Sequence, residues 1–263
     1  MNIKEWNKVV MSHQLNIALI VGSAPDAVRI KSWDLSVFSS CIVINNAWQL
    51  SEDWDYLIYP EDFPVDRLPP DVDLTSKKLI TAREFVPEQN SFGGFVYGGG
   101  TMAFTAGYWA LGSLRPDVIA YLGCDMVYPA QTGNSSHFYG NGQADPLRPD
   151  ITLQSLEAKS VRFMAFAQTN HCTIVNLSEL SESRLLFPRA SIEQFATKQI
   201  RPDFLSKHTA ELDLNLVKKA RQVEEQLAYL VPSGRYWEAL KEFDESKLSE
   251  IDSLWLESFL NKN

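Results

Sequence analysis

The chain has 263 residues, of which 45% are hydrophobic and 22% are charged, so large-scale disorder is excluded and a substantial core can form. Its formal net charge of -9 disfavours binding to nucleic acid or anionic lipid, and no local basic patch offsets that charge. Near the N-terminus no apolar stretch has the length of a signal peptide or membrane span, which predicts a cytoplasmic protein.

Short apolar runs rich in β-branched residues recur along the first two thirds of the chain and predict buried strands. Between them, residues 101–114 and 153–170 carry apolar side chains at the three- and four-residue spacing of a helix. Strands that alternate with helices predict a Rossmann-like α/β fold, with a mainly parallel sheet and helices on both faces. The predicted strands are residues 17–22, 41–46, 56–59, 78–81, 118–124 and 172–177.

The character of the sequence changes after Phe187, where Pro188 and Pro202 interrupt the chain and helical periodicity without strand-like runs follows. We therefore predict a nucleotide-binding domain over residues 1–190 and a helical C-terminal subdomain over residues 191–263. Helical periodicity is equally consistent with a lid over a site, a subunit interface or a docking surface for a partner. The sequence leaves homo-oligomerisation open.

Ligands of open α/β sheets bind beyond the carboxyl ends of the strands, so the residues that follow each predicted strand are the first candidates for a site. Gly22 and Ser23 begin a tight turn that could present backbone N–H groups to a phosphate or sugar, or could be a plain structural turn. Asn45 and Asn46 end the second run. Their amides could bind a base or ribose edge, or stabilise a turn.

A glycine triplet ending at Gly100 precedes Thr101 and the helix after it, which predicts free amides and a positive helix end beside the same crevice. The alternative is a flexible hinge or a plain loop. The fifth run continues into Asp125, and a connection of about 25 residues follows, which is longer than ordinary loops. Long ordered loops at this edge of a sheet are usually functional.

His137, within that connection, is the best candidate for proton transfer among the four histidines. Its alternative role is to brace the loop through a backbone hydrogen bond. Metal binding has little support, because no histidine or cysteine spacing matches a ligand motif, and the Asp-x-Asp pair Asp71 and Asp73 precedes a strand. Cys41, Cys124 and Cys172 lie in apolar runs and are expected to be buried thiols in a reducing compartment.

The order of these motifs resembles the bacterial sialyltransferases of glycosyltransferase family 42 and the related Rossmann-like domain of motility accessory proteins. The resemblance covers roughly residues 17–180. Residues 22–25 are similar to the family's Asn-Gly-Pro-Ser turn, although Ser23 stands where an asparagine is expected. Residues 122–128 are similar to its strand ending in Gly-x-Asp-x-x-Tyr, and residues 136–140 to its Ser-His-Tyr-x-Gly motif.

The resemblance implies a metal-independent, inverting transfer of a CMP-activated acidic sugar to the hydroxyl of a glycan acceptor, with no cofactor. It implies that His137 is the general base and that Tyr128 and Tyr139 stabilise the departing phosphate. Polysaccharide biosynthesis is the implied process, and any membrane association would be peripheral, through the acceptor. Nucleotide binding is implied for Gly22, Ser23, Asn45, Asn46, Gly100, Thr101 and Asp125.

Two other functions stay open. A diphosphokinase of the archaeal pterin type resembles the same domain, and it would need acidic residues for magnesium, which Asp125, Asp145 and Asp150 could supply. A noncatalytic nucleotide-sugar-binding module would keep the crevice without the chemistry. Metal dependence would separate the kinase from the transferase, and binding without turnover would identify the module.

Overall fold

The computed structural model describes residues 15–70, 75–127, 137–139, 150–196 and 203–260. Six strands form one sheet in which every neighbouring pair is parallel, in the order β4-β3-β2-β1-β5-β6. Each of the six strand predictions is confirmed, because strands buried on both faces give continuous apolar runs. The strands are β1 Ile17–Val21, β2 Ser40–Ile44, β3 Tyr56–Ile58, β4 Lys78–Ile80, β5 Val118–Leu122 and β6 Thr173–Asn176.

The sheet has its topological switch point between β1 and β5. The chain builds β1 to β4 in one direction and then returns to place β5 on the other side of β1. In open α/β sheets, ligands bind at such a point, in a crevice beyond the carboxyl ends of the strands. The Rossmann-like α/β prediction is confirmed, and the topology selects the ends of β1 and β5 as the place for a ligand.

One face of the sheet is covered by α-helices. Residues Met102–Trp109 form a helix that is buried on almost every side and continues as a π-helix over Ala110–Leu114. The helical prediction for residues 101–114 is therefore confirmed, as is that for residues 153–170. The α-helices are α1 Ala82–Ser91, α2 Gly94–Gly98, α3 Met102–Trp109, α4 Leu156–Thr169, α5 Glu193–Ala196, α6 Phe204–His208, α7 Leu214–Leu227 and α8 Glu245–Ser258.

The opposite face of the sheet is covered by 3-10 helices, chiefly Pro25–Ser32 and Asn45–Leu50, together with Phe195 and Phe204 from α5 and α6. The first 3-10 helix buries Ala27 and Ile30, which lie three residues apart and therefore share one face of a helix with three residues per turn. Both faces are thus covered, as predicted.

The C-terminal helices α7 and α8 pack against α4, and the core on that face includes Ala220 and Trp255. Two ion pairs between buried side chains join them to α4, Arg162 with Glu224 and Lys159 with Asp252. The division into domains at residue 190 stays a prediction. The packing shows that these helices share a hydrophobic core with the sheet.

The three cysteines are buried and free of disulfide bonds. Burial raises the pKa of Cys41 and of Cys172 to about 12, and it also raises the pKa of Cys124. At neutral pH these thiols are protonated, so the prediction of buried thiols is confirmed. Within the described ranges, no helix is both long enough and apolar enough to cross a bilayer.

Candidate functional site

The loops that follow β1 and β5 touch each other at the switch point. The Gly22 N–H donates to the Leu122 carbonyl at 2.8 Å, and the Ala24 N–H donates to the Gly123 carbonyl at 2.9 Å. A Cβ atom at Gly22 would lie only 2.4 Å from the Gly123 carbonyl oxygen. Gly22 is therefore a site of close backbone approach. Its N–H was a candidate donor to a phosphate or sugar, but it donates to the Leu122 carbonyl instead.

We expect Gly22→Ala to destabilise the protein by about 1–3 kcal/mol, because the added methyl group meets backbone that cannot move aside without displacing β5. Gly112→Ala is the matched control, since its methyl group would meet side chains and no backbone: the end of Glu88, which can rotate away, and Phe92 Cε2 at 3.3 Å. Urea denaturation of both variants checks the difference. Equal stability of the two variants would contradict the close approach of Gly22 to the Gly123 backbone.

His137 lies directly over the first of these loops. Its imidazole is 7% exposed, and the Phe138 N–H donates to the Ser23 carbonyl at 3.0 Å. The His137 ring stacks on the Tyr139 ring, with 5.1 Å between centroids. Burial lowers the pKa of His137 below its ordinary value of 6.5. The imidazole is therefore neutral at neutral pH and able to accept a proton.

Asp125 forms the other side of the crevice floor, at the end of β5. Its carboxyl group is only 1% exposed, and its Oδ1 accepts a hydrogen bond from Asn176 Nδ2 at 3.2 Å. Among the residues that the structure describes, none donates to Oδ2. A buried carboxyl oxygen is costly without a donor, so this atom is suited to accept a hydrogen bond from a hydroxyl group, an amino group or water.

The asparagines after β2 behave differently from each other. Asn45 adopts a left-handed backbone conformation with φ of 51° and begins a 3-10 helix, a role for which asparagine is well suited. Its Oδ1 atom is buried and has no donor among the described residues. Asn46 is 6% exposed. The structure therefore supports the turn role for Asn45, whose buried side-chain oxygen is an acceptor that no described residue uses.

The start of α3 is covered by the C-terminal region. Thr101 caps the helix, with its Oγ1 accepting from the Phe104 N–H at 3.5 Å. A Cβ atom at Gly100 would lie 2.1 Å from the Tyr236 Oη atom, and Tyr236 also stacks on Phe95 with 6.1 Å between ring centroids. Gly100 thus serves close packing against Tyr236, a contact between distant parts of the chain that no sequence pattern indicates.

Five other residues named from the sequence either lie outside the described residues or have a structural role. Tyr128, Asp71, Asp73 and Asp145 lie outside the described residues. Asp150 caps a short 3-10 helix, and its Oδ1 accepts from both the Thr152 N–H and the Thr152 hydroxyl at 2.7 Å. Over the described ranges, no group of three histidine, cysteine or acidic side chains is placed to share a metal ion.

The structure therefore brings together Gly22, Ser23, His137 and Asp125 around the ends of β1 and β5. Asn176, which holds Asp125 and also donates to Ser183 Oγ at 3.2 Å, is an additional polar residue of this edge. The sequence feature that could have identified it is a polar residue near the carboxyl end of the predicted strand 172–177; in the structure, β6 ends at Asn176.

Comparison of the chain with protein-family models, with curated proteins and with solved structures finds no match.

Proposed function

We propose that the protein is a cytoplasmic glycosyltransferase that resembles sialyltransferases, transferring a CMP-activated acidic sugar to a glycan hydroxyl with inversion and without a metal ion. The observation that carries this proposal is the position of His137. Its buried imidazole, whose pKa is lowered by burial, is held beside Ser23 at the switch point of the sheet. A neutral imidazole at the ligand edge is suited to general-base catalysis.

In the proposed reaction, the acceptor hydroxyl oxygen attacks the anomeric carbon of the donor sugar. The bond from that carbon to the CMP phosphate oxygen breaks, the electron pair leaves with the phosphate, and His137 takes the hydroxyl proton. A single displacement from the face opposite the leaving group inverts the configuration at the anomeric carbon. Proton removal during attack overcomes the weak nucleophilicity of a sugar hydroxyl.

The departing phosphate gains negative charge and needs hydrogen-bond donors in a fixed position. The Tyr139 phenol is one candidate, because its ring packs on His137 and is therefore close to the reacting hydroxyl. Tyr128, the other candidate, lies outside the described residues. If phenol hydroxyl groups stabilise the charge on the departing phosphate, the proposed reaction needs no divalent ion.

Recognition of the CMP moiety is proposed for the floor of the crevice. The Asn45 Oδ1 and Asp125 Oδ2 atoms are buried acceptors with no described donor, and ribose hydroxyls or the cytosine amino group could satisfy them. Asn46 and Ser23 flank these positions at the ends of β2 and β1. The Asp125 Oδ2 atom, which has no donor among the described residues, would also favour the diphosphokinase alternative, because magnesium prefers carboxylate ligands.

A thermal-shift titration with CMP, CDP, UDP, GDP and ATP, each with and without magnesium, tests the proposal. We expect CMP to raise Tm selectively, by an amount that magnesium and EDTA do not change. A response to ATP that requires magnesium would replace the proposal with the diphosphokinase. Stabilisation by CMP without turnover of any CMP-sugar would identify a noncatalytic module, and the absence of any response would contradict nucleotide binding.

A further inference from the structure

A cavity of about 430 Å³ lies beside the end of β5, next to the crevice but with its own lining. This volume falls within the range of roughly 300–1,000 Å³ that is usual for small-molecule sites. None of the described lining residues was predicted as a site residue, although two of them lie in the motif at residues 122–128. They are Met126, Val127, Glu157, Glu182, Ser183 and Arg184.

An ion pair forms one wall of the cavity. Arg184 Nε donates to Glu157 Oε1 at 2.8 Å, and Arg184 Nη2 donates to Glu157 Oε2 at 3.0 Å, so the guanidinium and carboxylate planes are held by two parallel bonds. Both side chains are 33% exposed, which leaves part of each accessible from the cavity. Burial alone would raise the pKa of Glu157, but the hydrogen bonds from Arg184 lower the pKa below its usual value. The carboxylate is therefore charged at neutral pH.

The cavity shares a wall with the floor of the crevice. The Arg184 N–H donates to the Asp125 carbonyl at 2.9 Å. Asn176 Nδ2 lies 3.2 Å from both Ser183 Oγ and Asp125 Oδ1 and can donate to each. A molecule in the cavity would consequently lie next to the polar groups at the end of β5, where the proposed donor sugar would react.

We infer that this cavity binds a neutral, polyhydroxylated sugar unit. Each sugar hydroxyl both donates and accepts, and the cavity offers carboxylate acceptors at Glu157 and Glu182 and a hydroxyl at Ser183. Met126 and Val127 provide apolar surface for the C–H face of a sugar ring.

The charge of the lining argues against a nucleotide or phosphate as the occupant. Among the described lining residues there are two carboxyl groups and one guanidinium, which gives a formal charge of -1, and the guanidinium is engaged by Glu157. An anion would be repelled from such a surface. The further assignment of the cavity to the glycan acceptor depends on the proposed function, whereas sugar binding itself does not.

Ligand-observed NMR on the full chain without nucleotide tests the inference, with methyl β-D-galactopyranoside and methyl β-D-glucopyranoside as probes. We expect at least one neutral glycoside to bind and both inorganic phosphate and glucuronate to show at least tenfold weaker binding. Glu182→Trp should abolish glycoside binding by filling the cavity. Ser181→Trp is the matched control, because Ser181 is an exposed neighbour that does not line the cavity.

Binding of the glycosides to the wild type and to Ser181→Trp, but not to Glu182→Trp, would support the inference. Absence of glycoside binding to the wild type, preferential binding of the anions, or equal binding to both tryptophan variants would overturn it. A CMP titration of the same three proteins separates the two proposals. If CMP stabilises all three while glycosides do not bind, the cavity assignment is wrong and nucleotide binding stands.

Discussion

His137→Ala is expected to lower kcat for sugar transfer by about 10²–10⁴-fold, the range usually lost with a general base. Affinity for CMP should stay within a few-fold, because a base that acts in the transition state contributes little to ground-state binding. The loop should keep its place, since the hydrogen bond from Phe138 to Ser23 joins backbone atoms. Steady-state kinetics with a CMP-sugar and calorimetry with CMP measure the two effects separately.

The control for this substitution is His171→Asn. His171 is exposed and adopts a left-handed conformation with φ of 58°, which asparagine accepts readily, so transfer should be unchanged. His137→Gln keeps a polar side chain of similar length without a titratable group and should be as inactive as the alanine variant. Unchanged turnover in either His137 variant would show that this residue only braces the loop.

The pH profile supplies an independent readout of the same assignment. Transfer requires neutral His137, so kcat/KM should fall as pH decreases through the pKa of this residue. Because burial lowers that pKa below 6.5, the midpoint of the acid limb should lie below pH 6.5. A midpoint above pH 6.5 would contradict the environment that the structure gives to His137.

The sheet could be predicted from the sequence because its chemistry is local. Runs such as Ile17–Val21 and Val118–Leu122 are buried on both faces, and an apolar segment of five residues between polar ones has few other uses. The switch point then follows from the order of strands, and it directs attention to residues after β1 and β5. Ser23, His137 and Asp125 were identified in this way or through the family resemblance.

The functions of individual glycines could not be predicted, because they depend on contacts between distant segments. Gly22 and Gly100 were both expected to approach a ligand. Gly22 instead approaches Gly123, and Gly100 approaches Tyr236, which is far along the chain. A glycine indicates that something comes close to the backbone, whereas only the folded structure shows whether that partner is a ligand or protein.

The burial of charged residues in the C-terminal region could not be predicted from the sequence either. Glu224 lies within a helix among many charged residues, a pattern that is typical of a solvated face. In the structure its carboxylate accepts from Arg162 Nε at 2.8 Å, from Arg162 Nη2 at 2.9 Å and from Trp255 Nε1 at 2.8 Å. Arg162 also donates to the Tyr108 hydroxyl at 2.6 Å and to the Phe92 carbonyl at 2.7 Å.

Glu224→Ala is accordingly expected to destabilise the protein by about 3–5 kcal/mol, because it leaves the charge of Arg162 buried without its carboxylate. The Arg162 side chain is only 1% exposed and cannot reach water without unpacking α4 from α7. Glu225→Ala is the control, since Glu225 is the exposed neighbour on the same helix and should change stability by no more than about 0.5 kcal/mol. Denaturant titrations measure both free energies of unfolding.

A double-mutant cycle shows whether the loss comes from the uncompensated charge. Arg162→Leu removes that charge, so the double variant with Glu224→Ala should be less destabilised than the sum of the two single variants. Recovery should be incomplete, because the Trp255 Nε1–H and the Phe92 carbonyl would still lack partners that the wild type supplies. Additive losses, or equal stability of Glu224→Ala and Glu225→Ala, would mean that the Arg162–Glu224 ion pair does not help to hold α7 on α4.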